Sequence, residues 1–156
     1  MLEIAIPGRP PLRATHLVLD LNGTLTVDGT LLPGVAARLQ ALRSALTIVL
    51  LTADTFGTAQ AVAETLGAAL TVLAPDDGGA QKLAVVQQLG ADNVIAIGNG
   101  RNDALMLQAA ALGIGVVQAE GMAPAALAAA DVIFTQVNEA LEALLNPRRL
   151  VATMRP

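Results

Sequence analysis

Polar side chains, among them carboxylates, hydroxyls and a carboxamide, follow three apolar runs of the sequence. Asp20, Asn22 and Thr24 come directly after the run H-L-V-L, which is typical of a buried strand. Thr52 ends a second such run, and the segment G-N-G-R-N-D at 98–103 follows a third. Ligands of open parallel sheets bind outside the carboxyl ends of the strands, so we expect these groups to share one site.

The only lysine of the chain, Lys82, is a candidate partner for a carboxylate nucleophile. Arginine fills the other eight basic positions. The single lysine therefore favours a need for a compact point charge, although compositional bias explains the count equally well. A carboxylate that approaches an anionic phosphoryl group needs positive charge nearby, which Mg²⁺ supplies through hard oxygen ligands. A hydroxyl and an ammonium group can stabilise the transferred oxygens, so these residue types suit phosphoryl transfer through an aspartyl-phosphate.

Apolar, β-branched runs alternate along the chain with helical patterns rich in Ala and Leu. This alternation predicts a parallel sheet with helices on both faces, a doubly wound α/β/α Rossmann-like fold. The nearly continuous apolar character of the runs agrees with strands buried on both faces. The predicted strands are 16–21, 47–52, 70–74, 93–98, 113–117 and 131–135. The predicted helices are 35–46, 56–66, 80–89, 103–112, 122–130 and 137–145.

Two segments interrupt this rhythm. Residues 25–34 carry the pair Asp28-Gly29 between short β-prone runs, which predicts a small hairpin. Residues 1–15 form an N-terminal edge segment, in which the first six residues are expected to add an edge strand and R-P-P-L-R to act as a linker. We see no internal repeat and expect one domain over 1–156.

The composition excludes several classes of function. Hydrophobic residues make up 54% of the chain and charged residues 14%, which argues against disorder. A net charge of −4 without a basic run argues against a nucleic-acid partner. The absence of cysteine excludes disulfides and thiolate chemistry. Because the first residues lack a signal-peptide pattern and no apolar run could span a bilayer, we expect a soluble cytoplasmic protein with no membrane partner.

The chain resembles the haloacid dehalogenase superfamily of phosphotransferases, and within it the soluble relatives of P-type ATPases. D-L-N-G-T-L-T at 20–26 is similar to that family's D-K-T-G-T-L-T, and T-A-D at 52–54 is similar to T-G-D. Lys82 stands where the third-motif lysine belongs, and G-N-G-R-N-D-A at 98–104 is similar to G-D-G-x-N-D-A. The motifs occur in order over nearly the whole chain, and the first and last are specific. The resemblance implies a fold without a cap domain, Mg²⁺ as cofactor and phosphatase activity.

The resemblance also implies a role for each matching residue. Asp20 is the nucleophile and a Mg²⁺ ligand, and the backbone carbonyl of Asn22 is a second ligand. Asn99 takes the direct metal-ligand position and Asp103 the neighbouring acidic position, and the hairpin at 25–34 corresponds to the family's flap. The implied metal set is therefore Asp20, Asn22, Asn99 and Asp103. The implied catalytic set is Asp20, Asn22, Thr52 and Lys82. The residues implied to contact phosphate are Asp20, Gly23, Thr24, Thr52, Ala53, Lys82 and Asn102.

Two residues depart from the family pattern. Most phosphatases of the superfamily have an aspartate two residues after the nucleophile, where it serves as general acid and base. Asn22 stands there instead and cannot titrate, which predicts slow turnover or a persistent phosphoenzyme. Asn99 can ligate Mg²⁺ through its amide oxygen but without charge, which predicts weak metal binding.

The segments between the motifs are too short for a cap or a nucleotide-binding domain, which affects the expected substrate and oligomeric state. Capless relatives act on large substrates or oligomerise so that a neighbour covers the site, and we expect a homo-oligomer. The expected substrate is a phosphorylated small molecule or an exposed phosphoryl group on a larger one. Two alternatives stay open: a phosphoacceptor receiver domain, which the flap and the G-N-G-R-N-D loop disfavour, and a decayed enzyme that serves in binding or assembly. Asp54 could equally contribute to the site or cap the next helix.

Overall fold

Ten strands and seven helices make up the computed structural model, which describes residues 1–156. The strands are β1 (Leu2–Ile4), β2 (Leu12–Ala14), β3 (His16–Asp20), β4 (Thr26–Val27), β5 (Thr30–Leu31), β6 (Thr47–Thr52), β7 (Ala69–Val72), β8 (Val94–Gly98), β9 (Leu112–Val116) and β10 (Val132–Phe134). The helices are α1 (Val35–Leu42), α2 (Ala59–Leu66), α3 (Gly78–Gln88), α4 (Ala104–Ala109), α5 (Pro124–Ala129), α6 (Val137–Leu145) and α7 (Arg148–Met154). Short 3₁₀ turns at Ala91–Asn93 and Arg101–Asp103 precede β8 and α4.

Six strands form one parallel sheet in the order β10-β9-β8-β3-β6-β7. The central strand, β3, pairs with β6 on one side and β8 on the other, and Leu19 faces both Leu50 and Ile97 across these pairs. Along the chain, β6 and β7 are added on one side of β3, and β8, β9 and β10 are then added on its other side. The strand order therefore reverses between β3 and β8, and this is where doubly wound folds bind their ligands.

Helices cover both faces of the sheet, which gives three layers. Leu17 and Leu19 of β3 belong to one apolar cluster and Val18 to the other, as the alternation of side chains along a strand requires. The larger cluster packs beneath α1, α2, α6 and α7, and the smaller beneath α3, α4 and α5. The predicted fold class is confirmed.

The predicted hairpin at 25–34 is present as β4 and β5. These strands pair antiparallel through a two-residue turn in which Asp28 and Gly29 both have positive φ, 49° and 76°. That conformation matches the right-handed twist of the flanking strands, which is why Asp-Gly favours it. We call residues 25–34 the flap. No cap domain follows it, because α1 begins at Val35.

The N-terminal segment differs from the expectation. Leu2–Ile4 does form a strand, but it pairs with Leu12–Ala14 in a separate two-stranded antiparallel sheet rather than at an edge of the central sheet. R-P-P-L-R is therefore not only a linker, because its Leu12 and Arg13 lie in β2. A turn with Gly8 at φ 85° lets the chain fold back on itself locally. Ile4 and Ala14 are buried by this hairpin against the larger apolar cluster.

Helix boundaries also differ from those predicted, and one helix was missed. Helix α2 begins at Ala59 rather than at 56, and α4 covers only Ala104–Ala109 of the predicted 103–112. The C-terminal α7 carries Leu150 into the larger cluster, with Val151 and Met154 packed beside it. No helix of the structure combines the length and apolar character needed to cross a membrane.

Candidate active site

Five polar side chains meet at the carboxyl end of β3, although the surroundings are otherwise apolar. They are Asp20, Thr24, Lys82, Asn99 and Asp103, and none is more than 8% exposed. Asp20 ends β3, Thr24 lies in the turn that follows, and Asn99 follows β8 directly. Lys82 comes from the second turn of α3 and Asp103 from the 3₁₀ turn before α4. We call these five residues the polar cluster.

The ammonium group of Lys82 joins the two carboxylates of the cluster. Its Nζ donates to Asp20 Oδ1 at 2.7 Å and to Asp103 Oδ1 at 2.5 Å. The whole lysine side chain is buried. A buried ammonium is tolerated only with such partners, because burial alone strongly disfavours its charge. The single lysine of the chain is therefore a structural and electrostatic partner of the nucleophile candidate.

Asp103 is held rigidly from the side opposite Lys82. Its Oδ2 accepts hydrogen bonds from the backbone N–H groups of Asn99 and Gly100, at 2.9 and 2.7 Å. A Cβ on Gly98 would lie 2.6 Å from the Asp103 carboxyl carbon, so only glycine allows this approach. The motif G-N-G-R-N-D thus forms a compact loop around one carboxylate.

Thr24 and Asn99 complete the cluster on the other side of Asp20. The Thr24 hydroxyl lies 2.9 Å from Asp20 Oδ2 and 3.2 Å from Asn99 Oδ1. A hydroxyl has one proton to donate, and the charged, nearer carboxylate receives it. The amide nitrogen of Asn99 donates to the Gly121 carbonyl at 2.9 Å, which leaves its oxygen on the side of the Thr24 hydroxyl. The Asn99 oxygen is therefore a buried acceptor without a committed donor.

Burial and charge set the ionisation of the nucleophile candidate and its partner. Desolvation by burial, with a smaller contribution from the nearby Asp103 carboxylate, raises the pKa of Asp20 from 3.8 to about 6, against the opposing pull of Lys82. Burial acts to lower the pKa of Lys82, but the Asp20 and Asp103 carboxylates outweigh it and raise that pKa above 10.5. At pH 7 the pair is consequently an ionised carboxylate and an ammonium ion.

The oxygen donors of the cluster fit a hard divalent cation. Asp20 Oδ2 and Asn99 Oδ1 converge on the same hydroxyl, and the Asn99 oxygen lacks a committed donor. Carboxylate, amide and carbonyl oxygens are the ligands that Mg²⁺ takes in proteins. Asp103 differs, because both of its oxygens are engaged by Lys82 and by backbone amides. The donor set therefore brings little charge of its own.

Asn22 and Gly23 lie between the nucleophile candidate and the flap. The Asn22 amide oxygen accepts from the Thr26 hydroxyl at 3.3 Å, so the side chain is directed toward β4 and has no hydrogen bond to Asp20. Gly23 has φ 80°, and a Cβ there would lie 2.6 Å from the Asn99 amide nitrogen. Glycine is required at this position for both reasons.

The remaining predicted residues border the cluster without a hydrogen bond to it. Thr52 is buried one residue beyond the Leu51 that pairs with Asp20, and its hydroxyl accepts from the Asp54 backbone N–H at 3.0 Å. Asp54 in turn accepts from the Ala59 N–H at 2.9 Å, so its side chain caps the first N–H of α2. Ala53 and Asn102 are exposed, on the loop after β6 and on the 3₁₀ turn before α4.

Two residues that the sequence motifs did not indicate, Gln118 and Glu120, also reach this end of the sheet. Gln118 donates to the carbonyls of Gly23 and Thr24 and accepts from the Val137 N–H at 3.1 Å. It thereby ties the turn after β3 to α6. Gln118 and Glu120 follow β9 as Asn99 follows β8, so the rule that polar residues after strands build the site could have found them.

Glu120 holds the flap from the β9 side. Its Oε1 accepts from the Asp28 backbone N–H at 3.0 Å, while the Phe56 ring packs against Gly29 on the same turn. The flap tip is thus fixed between a carboxylate and an aromatic ring.

Comparison with known proteins agrees with this architecture. The model of the haloacid dehalogenase-like hydrolase family matches residues 10–111. The uncharacterized protein MJ0073 of Methanocaldococcus jannaschii is 42% identical over 78 residues, which cover 47% of this chain and 84% of that protein.

Solved structures with the same fold include three bacterial proteins. The 3-deoxy-D-manno-octulosonate 8-phosphate phosphatase of Moraxella catarrhalis, in complex with magnesium, phosphate and KDO, has a TM-score of 0.69 at 21% identity, over 92% of this chain and 95% of that one. A HAD superfamily (subfamily III A) hydrolase structure from Legionella pneumophila has a TM-score of 0.73 at 19% identity, over 92% of this chain and 90% of that one. The cobalt-bound octulosonate phosphatase YrbI of Haemophilus influenzae has a TM-score of 0.72 at 13% identity, over 92% and 94%. The family-level resemblance is confirmed, and the likeness to P-type ATPase relatives stays a prediction.

Proposed function

The chain belongs to the haloacid dehalogenase-like hydrolase family, and from that premise we propose that it is a Mg²⁺-dependent phosphatase that hydrolyses a phosphomonoester through an aspartyl-phosphate on Asp20. The observation that carries the proposal is the buried contact of Asp20 with Lys82 on one oxygen and with Thr24 on the other. A carboxylate fixed in this way presents a defined face to a substrate outside the carboxyl end of β3. Its pKa of about 6 keeps it ionised, and so nucleophilic, at pH 7.

In the first half of the reaction, a carboxylate oxygen of Asp20 attacks phosphorus and the ester P–O bond breaks. The ammonium group of Lys82 stays between Asp20 and Asp103, where it stabilises the negative charge of the transferred oxygens. Thr24 and Thr52 offer hydroxyl groups at the same end of the sheet. The leaving alkoxide takes its proton from water, because Asn22 has none to give.

In the second half, water attacks the phosphorus of the acyl phosphate, the P–O bond to Asp20 breaks, inorganic phosphate leaves and the proton of the water passes to solvent. Asn22 cannot accept the proton of that water, so we expect this half to be slow and the phosphoenzyme to accumulate. The direction of the Asn22 side chain toward Thr26 supports this, because it points the amide away from the nucleophile.

We propose that Asp20, Asn99 and the backbone carbonyl of Asn22 hold the Mg²⁺ ion. When bound, the ion supplies the positive charge that lets an anionic phosphoryl group approach a carboxylate. Asp103, which the sequence placed in the metal set, is proposed to act on the loop instead: it fixes Lys82 and the backbone that carries Asn99.

The proposed substrate is a phosphorylated small molecule, the class that the named octulosonate 8-phosphate phosphatases take. We propose phosphate contacts for the border residues Gly23, Ala53 and Asn102 as well. The expectations of a cytoplasmic location and of a homo-oligomer stay predictions. Light scattering on the purified chain tests the second of these.

A phosphoacceptor or binding module is the alternative, and Asn22 favours it. If the acyl phosphate persists, the chain would act as a carrier of a phosphoryl group rather than as an efficient hydrolase.

Phosphate release from an aryl phosphate tests the proposal. The wild-type chain should release phosphate only with Mg²⁺, and Asp20→Asn should abolish release. Asp54→Asn is the matched control, because Asp54 is also an aspartate after a strand, but its side chain caps the first N–H of α2. Release by Asp20→Asn at the wild-type rate would contradict a nucleophilic Asp20.

A further inference from the structure

The polar cluster carries too little negative charge to neutralise a divalent cation. Asp20 and Asp103 bring two negative charges, and the buried ammonium of Lys82 offsets one of them. Asn99 brings none, although it stands at the position that we assign to a metal ligand. A divalent ion beside this cluster would therefore retain a net positive charge, which is unfavourable in a buried site.

A further carboxylate, that of Glu120, lies next to Asn99. Its Oε2 is 2.9 Å from the position that a Cβ on Gly23 would take, and the Asn99 amide nitrogen is 2.6 Å from the same position. The two side chains thus approach the same space beside Gly23, in the turn that follows Asp20. The absence of a side chain on Gly23 is what lets both approach.

The exposed carboxylate of Glu120 is held by one hydrogen bond and is not neutralised. Oε1 accepts from the Asp28 N–H, whereas Oε2 has no hydrogen-bond donor. The ion pairs of the chain are Arg13 with Glu3, Arg38 with Glu142, and Lys82 with the two cluster aspartates, so no cation pairs with Glu120. The loop after β9 therefore presents an unpaired negative charge at the edge of the polar cluster.

We propose that Glu120 is a positioning carboxylate of the Mg²⁺ site, supplying from the β9 loop the negative charge that Asn99 lacks. This inference rests on the metal dependence of the proposed function and names a residue outside the four sequence motifs. Its prediction concerns binding of the ion, measurable without any turnover.

Glu120→Gln is the test variant, because glutamine keeps an oxygen for the Asp28 N–H and removes only the charge. We expect calorimetric titration with MgCl₂ to show about tenfold weaker binding, equivalent to about 1.4 kcal/mol, as suits a partly solvated charge near a divalent ion. Glu64→Gln, an exposed glutamate on α2, should bind Mg²⁺ as the wild type does. Equal affinity of Glu120→Gln and wild type overturns the proposal, as does an equal loss in Glu64→Gln.

Asn99→Asp provides a second, independent arm. If Glu120 compensates for the missing charge at position 99, the Glu120→Gln change should weaken Mg²⁺ binding less in the Asn99→Asp background than in the wild type. An undiminished effect contradicts compensation. Because these arms measure binding alone, a chain that binds Mg²⁺ as proposed yet releases no phosphate would refute the phosphatase proposal and leave this one standing.

Discussion

Lys82→Met should destabilise the chain strongly and in a pH-dependent way. The substitution keeps an unbranched side chain of similar length but leaves the Asp20 and Asp103 carboxylates facing each other in a buried site without a cation. Removal of one partner from a buried ion pair typically costs about 3–5 kcal/mol. We expect a loss of this size in the free energy of unfolding at pH 7.5, without divalent ions.

The pH dependence follows from the pKa of Asp20. Its folded-state pKa of about 6 already exceeds the ordinary value of 3.8, and loss of Lys82 raises it further, since the lysine lowers it. Because the carboxyl pKa is raised in the folded chain, between the two pKa values the folded chain binds a proton that the unfolded chain does not. The contribution of Asp20 to the free energy of unfolding is therefore most favourable at low pH and is lost as the pH rises through the folded-state pKa. The loss in the free energy of unfolding caused by Lys82→Met should consequently be smaller at pH 5 than at pH 7.5. The difference should be about 1.4 kcal/mol for each unit by which the substitution raises the pKa of Asp20.

Urea unfolding of both proteins at pH 5 and pH 7.5, with EDTA, measures these quantities. The double variant Lys82→Met/Asp103→Asn is the internal control, because it removes one of the two unpaired charges and should recover much of the loss at pH 7.5. A loss in the free energy of unfolding of less than about 1 kcal/mol for Lys82→Met, the size typical of a surface ion pair, would refute the reasoning. An equal loss at both pH values would refute it as well.

Three further predictions concern turnover, packing and metal binding. Asn22→Asp should restore a general acid and base and raise steady-state phosphate release at least about tenfold; an unchanged rate would contradict a missing proton donor. Gly98→Ala should lower the free energy of unfolding by about 1–3 kcal/mol, because its Cβ would lie 2.6 Å from the Asp103 side chain. Gly79→Ala, within α3, would make only ordinary van der Waals contacts and should raise the free energy of unfolding by up to about 1 kcal/mol. Similar urea midpoints for the two variants would refute this expectation. Mg²⁺ affinity, measured by calorimetry, should fall about tenfold from pH 7 to pH 5. The reason is that a proton and the cation compete for Asp20, whose pKa is about 6. An affinity that does not change with pH would exclude Asp20 as a ligand.

The sequence was sufficient to predict the residues of the polar cluster because each belongs to a recognisable motif, and all but Lys82 lie at or just after the end of a strand or before a helix. Asp20 and Asn99 come after apolar runs whose pairing in a parallel sheet brings their ends to one edge. Lys82 was predicted through its motif position, and the structure gives the physical reason, its contact with two buried carboxylates. Periodicity and strand-end chemistry carry that information locally.

Features that depend on long-range packing were not predictable in the same way. Glu120 follows a strand, as other residues of the site do, but its approach to Gly23 depends on the pairing of β9 with β8 and on the contact with the flap, which no local pattern gives. The pairing of Leu12–Ala14 with Leu2–Ile4 was masked by the neighbouring prolines, which are typical of a linker. Helix α7 is short, and its burial of Leu150 arises from contact with the larger apolar cluster.

Direct detection of the covalent intermediate tests the central claim most sharply. The chain would be incubated with a small acyl or aryl phosphate and Mg²⁺, quenched in acid and digested, and the peptide that contains Asp20 would be examined by mass spectrometry with Asp20→Asn in parallel. The account predicts one added phosphoryl group on Asp20, more abundant in the wild type than in Asn22→Asp, and none in Asp20→Asn. A phosphoryl group on another residue, or phosphate release from an unmodified chain that survives in Asp20→Asn, would contradict it.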